Sequence, residues 1–389
     1  MQFEFSTASR IIFGSGKLNT IGDIATEFGK NAFIISGCPK SVSDRLYSAL
    51  ESRGICYSTV KIEQEPTIDV IKTFIDIAKR FSPDLLIGIG GGSAIDSAKA
   101  TASLISNPGE ITDYLEVIGL GKPLSNPSLP LIAIPTTSGT GAEVTKNAVL
   151  ASPQHNVKVS LRSPYLLPKI ALVDPELTVS VPPAITAFTG LDALTQLIEP
   201  FTCIDPSPMT DVLCRDGIQR IGRSIYQAYD NGVDHNARED ISLASLFSGL
   251  ALANAKLGAV HGLAGTIGGV SPAPHGAICA CLLPHTMEAN INALMERAPG
   301  HPALQRYDAI AKILTNQLSA TVEDGVQWVR NFCNHAKIPP LSVYGLSEAD
   351  FGRILETATR ASSMKGNPIT LSEVELRNIL QKSLQLNAE

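Results

Sequence analysis

The sequence predicts a two-part α/β protein: residues 1–182 as an α/β domain on a parallel sheet, and residues 183–389 as an all-helical domain. Three observations carry this. The first half alternates short apolar runs with segments of helical periodicity, the pattern of a sheet covered by helices on both faces. The second half has few β-branched runs and repeats small and apolar residues at three- and four-residue spacing, as in EDISLASLFSGLALANAKL (239–257). Between them VDPELTVSVPP (173–183) is rich in prolines and acidic turn formers and reads as the junction.

Taken in order, NAFIISG (31–37) is a buried strand ending in glycine, and SVSDRLYSALESRG (41–54) is helical. ICYSTVKI (55–62) is again strand-like, and TIDVIKTFIDIAKRF (67–81) places its apolar residues on one helix face. DLLIGIGGG (84–92) is a strand running into glycines, and LPLIAIP (129–135) is another. TGLDALTQLIEP (189–200) is a helix after a Thr-Gly start. Further on, GGVSPAP (268–274) must interrupt the helical pattern, because prolines cannot continue it. A cleft between the two domains is the expected place for a ligand.

Composition narrows the function. Apolar residues are 44% and charged residues 17% of the 389, enough for large cores and unlike a disordered or fibrous chain. The net charge of −6 offers phosphates no basic stripe, so no nucleic-acid partner is expected. No apolar run is long enough to span a membrane, and MQFEFSTASRIIFGSGKL has no signal-peptide pattern, so the cytoplasm is the expected compartment. The seven cysteines are odd in number and form no CxxC pair, which favours buried reduced thiols. Cys279 and Cys281 straddle Ala280 and do not share a helix face, so they are not expected to act as a thiol pair.

Two loops carry the chemistry of the first half. In GIGGGSAIDSAKA (88–100) a buried strand ends in Gly90, Gly91 and Gly92, then Ser93 and a helix. Glycine lets backbone approach an anion, and a helix N-terminus offers unpaired N–H groups and partial positive charge, so this reads as a pyrophosphate site. In IPTTSGTGAEVT (134–145) Thr136, Thr137, Ser138 and Thr140 put four hydroxyls beside two glycines, suited to phosphate, ribose or amide groups. The second half offers a different set. Asp192 and Gln196 are four apart on one helix face, His261 falls late in an apolar helical run, and His275 begins the next helix. A carboxylate and two imidazoles from three helices suit a divalent cation. Spacing alone favours two hydrogen-bonded core histidines and a capping aspartate. His155, His235, His301 and His335 stand in polar contexts and read as surface residues, and Trp328 reads as core.

The order GGGSAIDSAKA, PTTSGTGAEVT, VDPELT, TGLDALT, GAVHGLAG, PHGAICACLLPHTMEAN, over nearly the whole chain, resembles the iron-containing (group III) alcohol dehydrogenase family. The resemblance implies the dehydroquinate synthase-like fold of that family, with residues 1–182 as the dinucleotide-binding domain, and hydride transfer between NAD(P) and an alcohol or aldehyde at a divalent metal, Fe²⁺ or Zn²⁺. It implies coenzyme contacts at Gly37, Gly91, Gly92, Ser93, Asp96, Thr136, Thr137 and Lys158, metal ligands at Asp192, Gln196, His261 and His275, and catalytic roles for His261 and His275. It also implies a homodimer. Two positions depart from the family pattern: Gln196 stands where a histidine ligand is usual, and Gly265 where a histidine near the nicotinamide is usual. A glutamine carbonyl is a weaker donor than imidazole, so a metal-free reductase akin to maleylacetate reductases is the alternative. His285 reads as a structural or substrate-side residue. Gly37 replaces the aspartate that would repel a 2′-phosphate, and Lys40 is close by, which favours NADP over NAD.

Overall fold

The computed structural model describes residues 2–155 and 157–385. The chain forms two compact units, one of Ser6–Ser180 and one from Val181 onward that also takes in the stretch up to Phe5.

The first unit contains strands β1 (Arg10–Phe13), β2 (Asn31–Ser36), β3 (Cys56–Lys61), β4 (Leu85–Gly90), β5 (Leu131–Pro135), β6 (Asn147–Ser152), β7 (Val157–Arg162) and β8 (Ile170–Val173). Its helices are α1 (Ile21–Thr26), α2 (Lys40–Glu51), α3 (Ile68–Phe81), α4 (Gly92–Ser106) and the short α5 (Ile111–Tyr114). Six strands form a parallel sheet in the order β1-β8-β5-β4-β2-β3. Side chains alternate across it. Phe33, Ile35 and Leu86 join α3 and α4 on one face, while Ile34, Leu85, Ile87 and Ile89 join α1 and α2 on the other. That two-sided burial is why these strands read as continuous apolar runs. Thr67 caps α3 by accepting from the Val70 N–H, and Ser82 ends it in the left-handed region. Strands β6 and β7 pair antiparallel in a sheet of their own, which the apolar-run reading did not foresee. Their alternating burial is the mark of a half-exposed hairpin.

The second unit has helices α6 (Pro183–Thr202), α7 (Pro208–Asp230), α8 (His235–Asn254), α9 (Ala259–Val270), α10 (His275–Arg297), α11 (Pro302–Thr315), α12 (Val322–His335), α13 (Phe351–Ala358) and α14 (Glu373–Ser383), and no strand among its described residues. Helix α6 is buried almost all round from Gly190 to Thr202 and lies in the core of its unit. Ser271 ends α9 in extended backbone, and Pro274 sets the start of α10, so the break expected at 268–274 falls mainly at 271–274. No single described helix is long and apolar enough to cross a membrane. The cysteines are all free; five are buried, but Cys56 is exposed and Cys38 half-buried. Trp328 is only partly buried, edge-on to Tyr226 and stacked over Phe332, rather than in the core.

Candidate functional site

In the first unit the chain leaves β2 outward to β3 and returns to β4 on the other side of β2. Helix α2 packs on one face of the sheet and α4 on the other. The carboxyl ends of β2 and β4 therefore diverge, which is where open parallel sheets hold ligands. The three glycines expected to meet coenzyme, Gly37, Gly91 and Gly92, follow these strand ends. Gly90 has φ +149°, and a Cβ on it would stand 2.8 Å from the Ala94 Cβ and 3.0 Å from the Gly37 Cα. Gly37 is itself tightly placed: its N–H donates to the Ile89 carbonyl at 2.8 Å, and a Cβ would lie 3.2 Å from the Ala94 Cβ. Gly37 therefore has a packing reason to be glycine besides any effect on coenzyme choice.

The two loops foreseen as a coenzyme cradle meet. Gly91 and Gly92 open α4 with no side chain capping its first turn, so its N-terminal donors are open to an anion. A Cβ on Gly91 would stand 3.4 Å from the Thr137 Oγ1, and one on Gly92 would stand 3.1 Å from the Thr140 Oγ1. The Thr136 N–H donates to the Gly90 carbonyl at 2.9 Å, locking the second loop to the end of β4. Ser93 sits in the first turn of α4, half-buried. Asp96 faces another way. It accepts from the Val149 N–H at 3.0 Å and lies 3.7 Å from the fully buried Lys99 ammonium, tying α4 to the β6–β7 hairpin. Lys158, on β7, is ion-paired with Glu65 at 2.6 Å.

In the second unit, three helices bring together Asp192 of α6, His261 of α9, and His275 and Cys279 of α10, with one donor atom from each within 4.8 Å of the others. His261 Nε2 is 3.5 Å and His275 Nε2 3.7 Å from Asp192 Oδ1, and Cys279 Sγ is 3.6 Å from His275 Nε2. Asp192 Oδ1 and His261 Nε2 are buried and make no hydrogen bond, although they point at one another. Two buried donors left without hydrogen bonds side by side are costly unless a cation binds both, so this donor set fits a divalent metal. The ring is closed on three sides: Asp192, His261 and Cys279 are buried, while the His275 side chain is 38% exposed. Beside it Gly265 is exposed, with nothing within 4 Å of where a Cβ would be, so the histidine usual there leaves open space.

Supporting groups fix this ring. Glu199 follows Asp192 by seven residues and Gln196 by three, so all three share a face of α6. The Glu199 carboxylate takes the His261 Nδ1 at 2.6 Å and the Val260 N–H at 2.7 Å. A carboxylate only accepts, so Nδ1 carries the hydrogen and Nε2 is turned to the ring. Gly258 is needed here, because a Cβ would come within 2.8 Å of Glu199 Oε1. Gly276, after His275, lets α10 start hard against α6, where a Cβ would strike the Phe188 carbonyl at 2.6 Å. Burial lowers the pKa of His261, but the Glu199 charge, its hydrogen bond and the neighbouring Asp192 carboxylate outweigh it and raise it to about 10. Burial likewise works against ionised Asp192, but the neighbouring imidazoles hold its pKa below the ordinary value. Burial, then the charges of Asp192 and Glu199, push the Cys279 thiol well up.

Gln196 departs from expectation. Its amide nitrogen donates to Asp192 Oδ2 at 3.1 Å, and its carbonyl oxygen is 2.9 Å from the Ser248 hydroxyl. It grips the carboxylate oxygen that faces away from the ring. Sequence reasoning missed Glu199 and Cys279. Cys279 is four residues after His275, the spacing already used for Asp192 and Gln196, but it was weighed against Cys281 instead. Cys281 points elsewhere, its sulfur 3.3 Å from the Ser383 carbonyl. His285 is buried in α10. His155, His235 and His335 are exposed as expected, while His301 is half-buried and caps α11.

Residues 8–175 match the family model for iron-containing alcohol dehydrogenase, and residues 186–384 match the model for the C-terminal domain of the same family. The chain belongs to the iron-containing alcohol dehydrogenase family. It is an oxidoreductase acting on alcohols, in a family that uses NAD(P) and a metal. The chain is 33% identical over 382 residues to alcohol dehydrogenase 4 of Saccharomyces cerevisiae, covering 96% of each. It is also 33% identical to sulfoacetaldehyde reductase of Bilophila wadsworthia, over 99% of this chain and all of that one. Among solved structures, a 1,3-propanediol oxidoreductase superposes with a TM-score of 0.90 at 28% identity, over 98% of this chain and 100% of that one. The metal-free alternative is not favoured, because the relatives are alcohol dehydrogenases and aldehyde reductases of the iron-containing family.

Proposed function

We propose that this enzyme transfers hydride between NADP, or less readily NAD, and a small alcohol or aldehyde, with Fe²⁺ or Zn²⁺ held in the second unit. The observation that carries the proposal is the pair of facing, unbonded donors Asp192 Oδ1 and His261 Nε2 within the four-residue ring. The metal, when bound, supplies Lewis-acid polarisation of the substrate oxygen. The protein's own groups do the rest. Glu199 holds His261 in one tautomer, and Gln196 holds the Asp192 carboxylate in place. The exposed flank of His275 and the open space at Gly265 admit substrate, while the buried flanks exclude water. No imidazole stands at Gly265, so a proton on the substrate oxygen passes to solvent on that side.

For the coenzyme, the N-terminal donors of α4 at Gly91–Ser93 take the pyrophosphate, and the Thr136–Thr137 loop beside them takes the nicotinamide half. Gly37 presents no carboxylate to a 2′-phosphate, and Lys40, exposed at the start of α2, supplies a nearby cation. Asp96 and Lys158 hold protein groups in this structure, and their part in coenzyme binding rests on the family pattern alone. A homodimer in the cytoplasm completes the proposal, a two-fold assembly being the commonest for soluble enzymes. The test is coenzyme-linked turnover of short alcohols and aldehydes, before and after a strong chelator, with Fe²⁺ or Zn²⁺ added back. Undiminished turnover after complete metal removal overturns it.

A further inference from the structure

The family pattern leaves one metal ligand to be found, since Gln196 stands where a histidine is usual. The amide end of Gln196 facing Asp192 must be its NH₂, because a carboxylate offers only acceptors. Its carbonyl oxygen then faces Ser248, not the ring. A different side chain closes the ring: one turn along α10 from His275, Cys279 sets its sulfur 3.6 Å from His275 Nε2 and is wholly buried. Tetrahedral bonds of about 2.0–2.1 Å to O and N and about 2.3 Å to S place donor atoms roughly 3.3–3.6 Å apart. The observed separations of 3.5, 3.6 and 3.7 Å lie at or just above that range.

We propose that Cys279 is the fourth protein ligand, as a thiolate, completing Asp192, His261 and His275, while Gln196 serves as the hydrogen-bonding support of Asp192. This rests on the metal reading above. Binding exchanges the thiol S–H bond for a metal–sulfur bond, and the proton leaves to solvent. A sulfur in place of an imidazole moves the site toward softer cations, so zinc and cobalt(II) are held in preference to iron(II).

The decisive measurement is X-ray absorption at the zinc edge of the unmutated, zinc-loaded enzyme, which needs no variant to fold. One sulfur scatterer at about 2.3 Å is the expected result; a shell of nitrogen and oxygen alone overturns the proposal. Cobalt(II) substitution gives an independent reading. The wild type should show a thiolate-to-cobalt charge-transfer band, absent in Cys279→Ser, whose cobalt affinity falls by at least about 10–100-fold. Gln196→Ala should keep the band. Stoichiometric cobalt without such a band overturns the thiolate but leaves the metal site standing. Failure of the wild type to bind zinc or cobalt at all overturns the metal reading, and the thiolate with it.

Discussion

The two units build their sites from different materials. In the first, the groups that fit a coenzyme are backbone: Gly91 and Gly92 open α4 with no cap, and Thr137 and Thr140 lie against them. In the second, the donors are side chains drawn from three helices, Asp192, His261 and Cys279 buried and His275 partly exposed. A backbone site depends on close approach, so added bulk is what harms it. A side-chain site depends on orientation, so loss of a donor or of the group that aims it is what harms it.

The largest expected effect comes from removing a donor. His261→Ala should lose bound metal by elemental analysis and turnover by about 10³-fold, some 4 kcal/mol of barrier, while coenzyme still binds the first unit by fluorescence titration. Loss of coenzyme binding as well would break the separation between the units. Next is the aim of a donor: Glu199→Gln keeps the shape but weakens the hold on His261 Nδ1, and metal affinity by competitive chelation should fall about 10–100-fold. Smaller again is bulk in the backbone site. Gly92→Ala puts a methyl 3.1 Å from the Thr140 Oγ1, and the coenzyme KM should rise about tenfold with metal content unchanged.

The smallest effect compares the units through pH. Burial of Asp240 in the helical unit disfavours its charge, but hydrogen bonds from Arg223 and Ser224, with Arg220 nearby, hold its pKa below the ordinary value. A lowered acid stabilises the fold above its unfolded pKa of about 3.9, and that contribution is lost as pH falls through the folded value. Asp240→Asn should therefore cost about 1 kcal/mol in urea unfolding at pH 7 and nothing at low enough pH. In the first unit Glu143 runs the other way: burial, against the pull of Lys99, raises it to about 7. Stability there declines as pH rises from the ordinary carboxylate range to about 7, and Glu143→Gln should flatten that slope. Equal slopes in both variants would remove the contrast.

Much of this was legible in the chain. The strand ends near 36, 90 and 135 and the glycine loop at 90–92 follow from local pattern, because apolar runs, glycines and prolines act on the backbone within a few residues. The β6–β7 hairpin escaped notice because its alternation is short and mixed with small residues. In the four-residue ring, Asp192, His261 and His275 were expected through the family pattern, since nothing local tells a ligand from a core histidine. Glu199 and Cys279 were not found, although each sits one helical turn from a named residue.

The sequence by itself determined the two-part α/β and helical plan, the family, and the position of the glycine turn proposed for phosphate, since these rest on periodicity and on residues adjacent in the chain. Only the tertiary structure decided which side chains meet in the ring, that the Gln196 amide nitrogen donates to Asp192, and that Gly37 is packed against α4. Those facts depend on rotamers and on helices separated by tens of residues meeting within a few ångströms. A side chain's chemical type does not say which way it points.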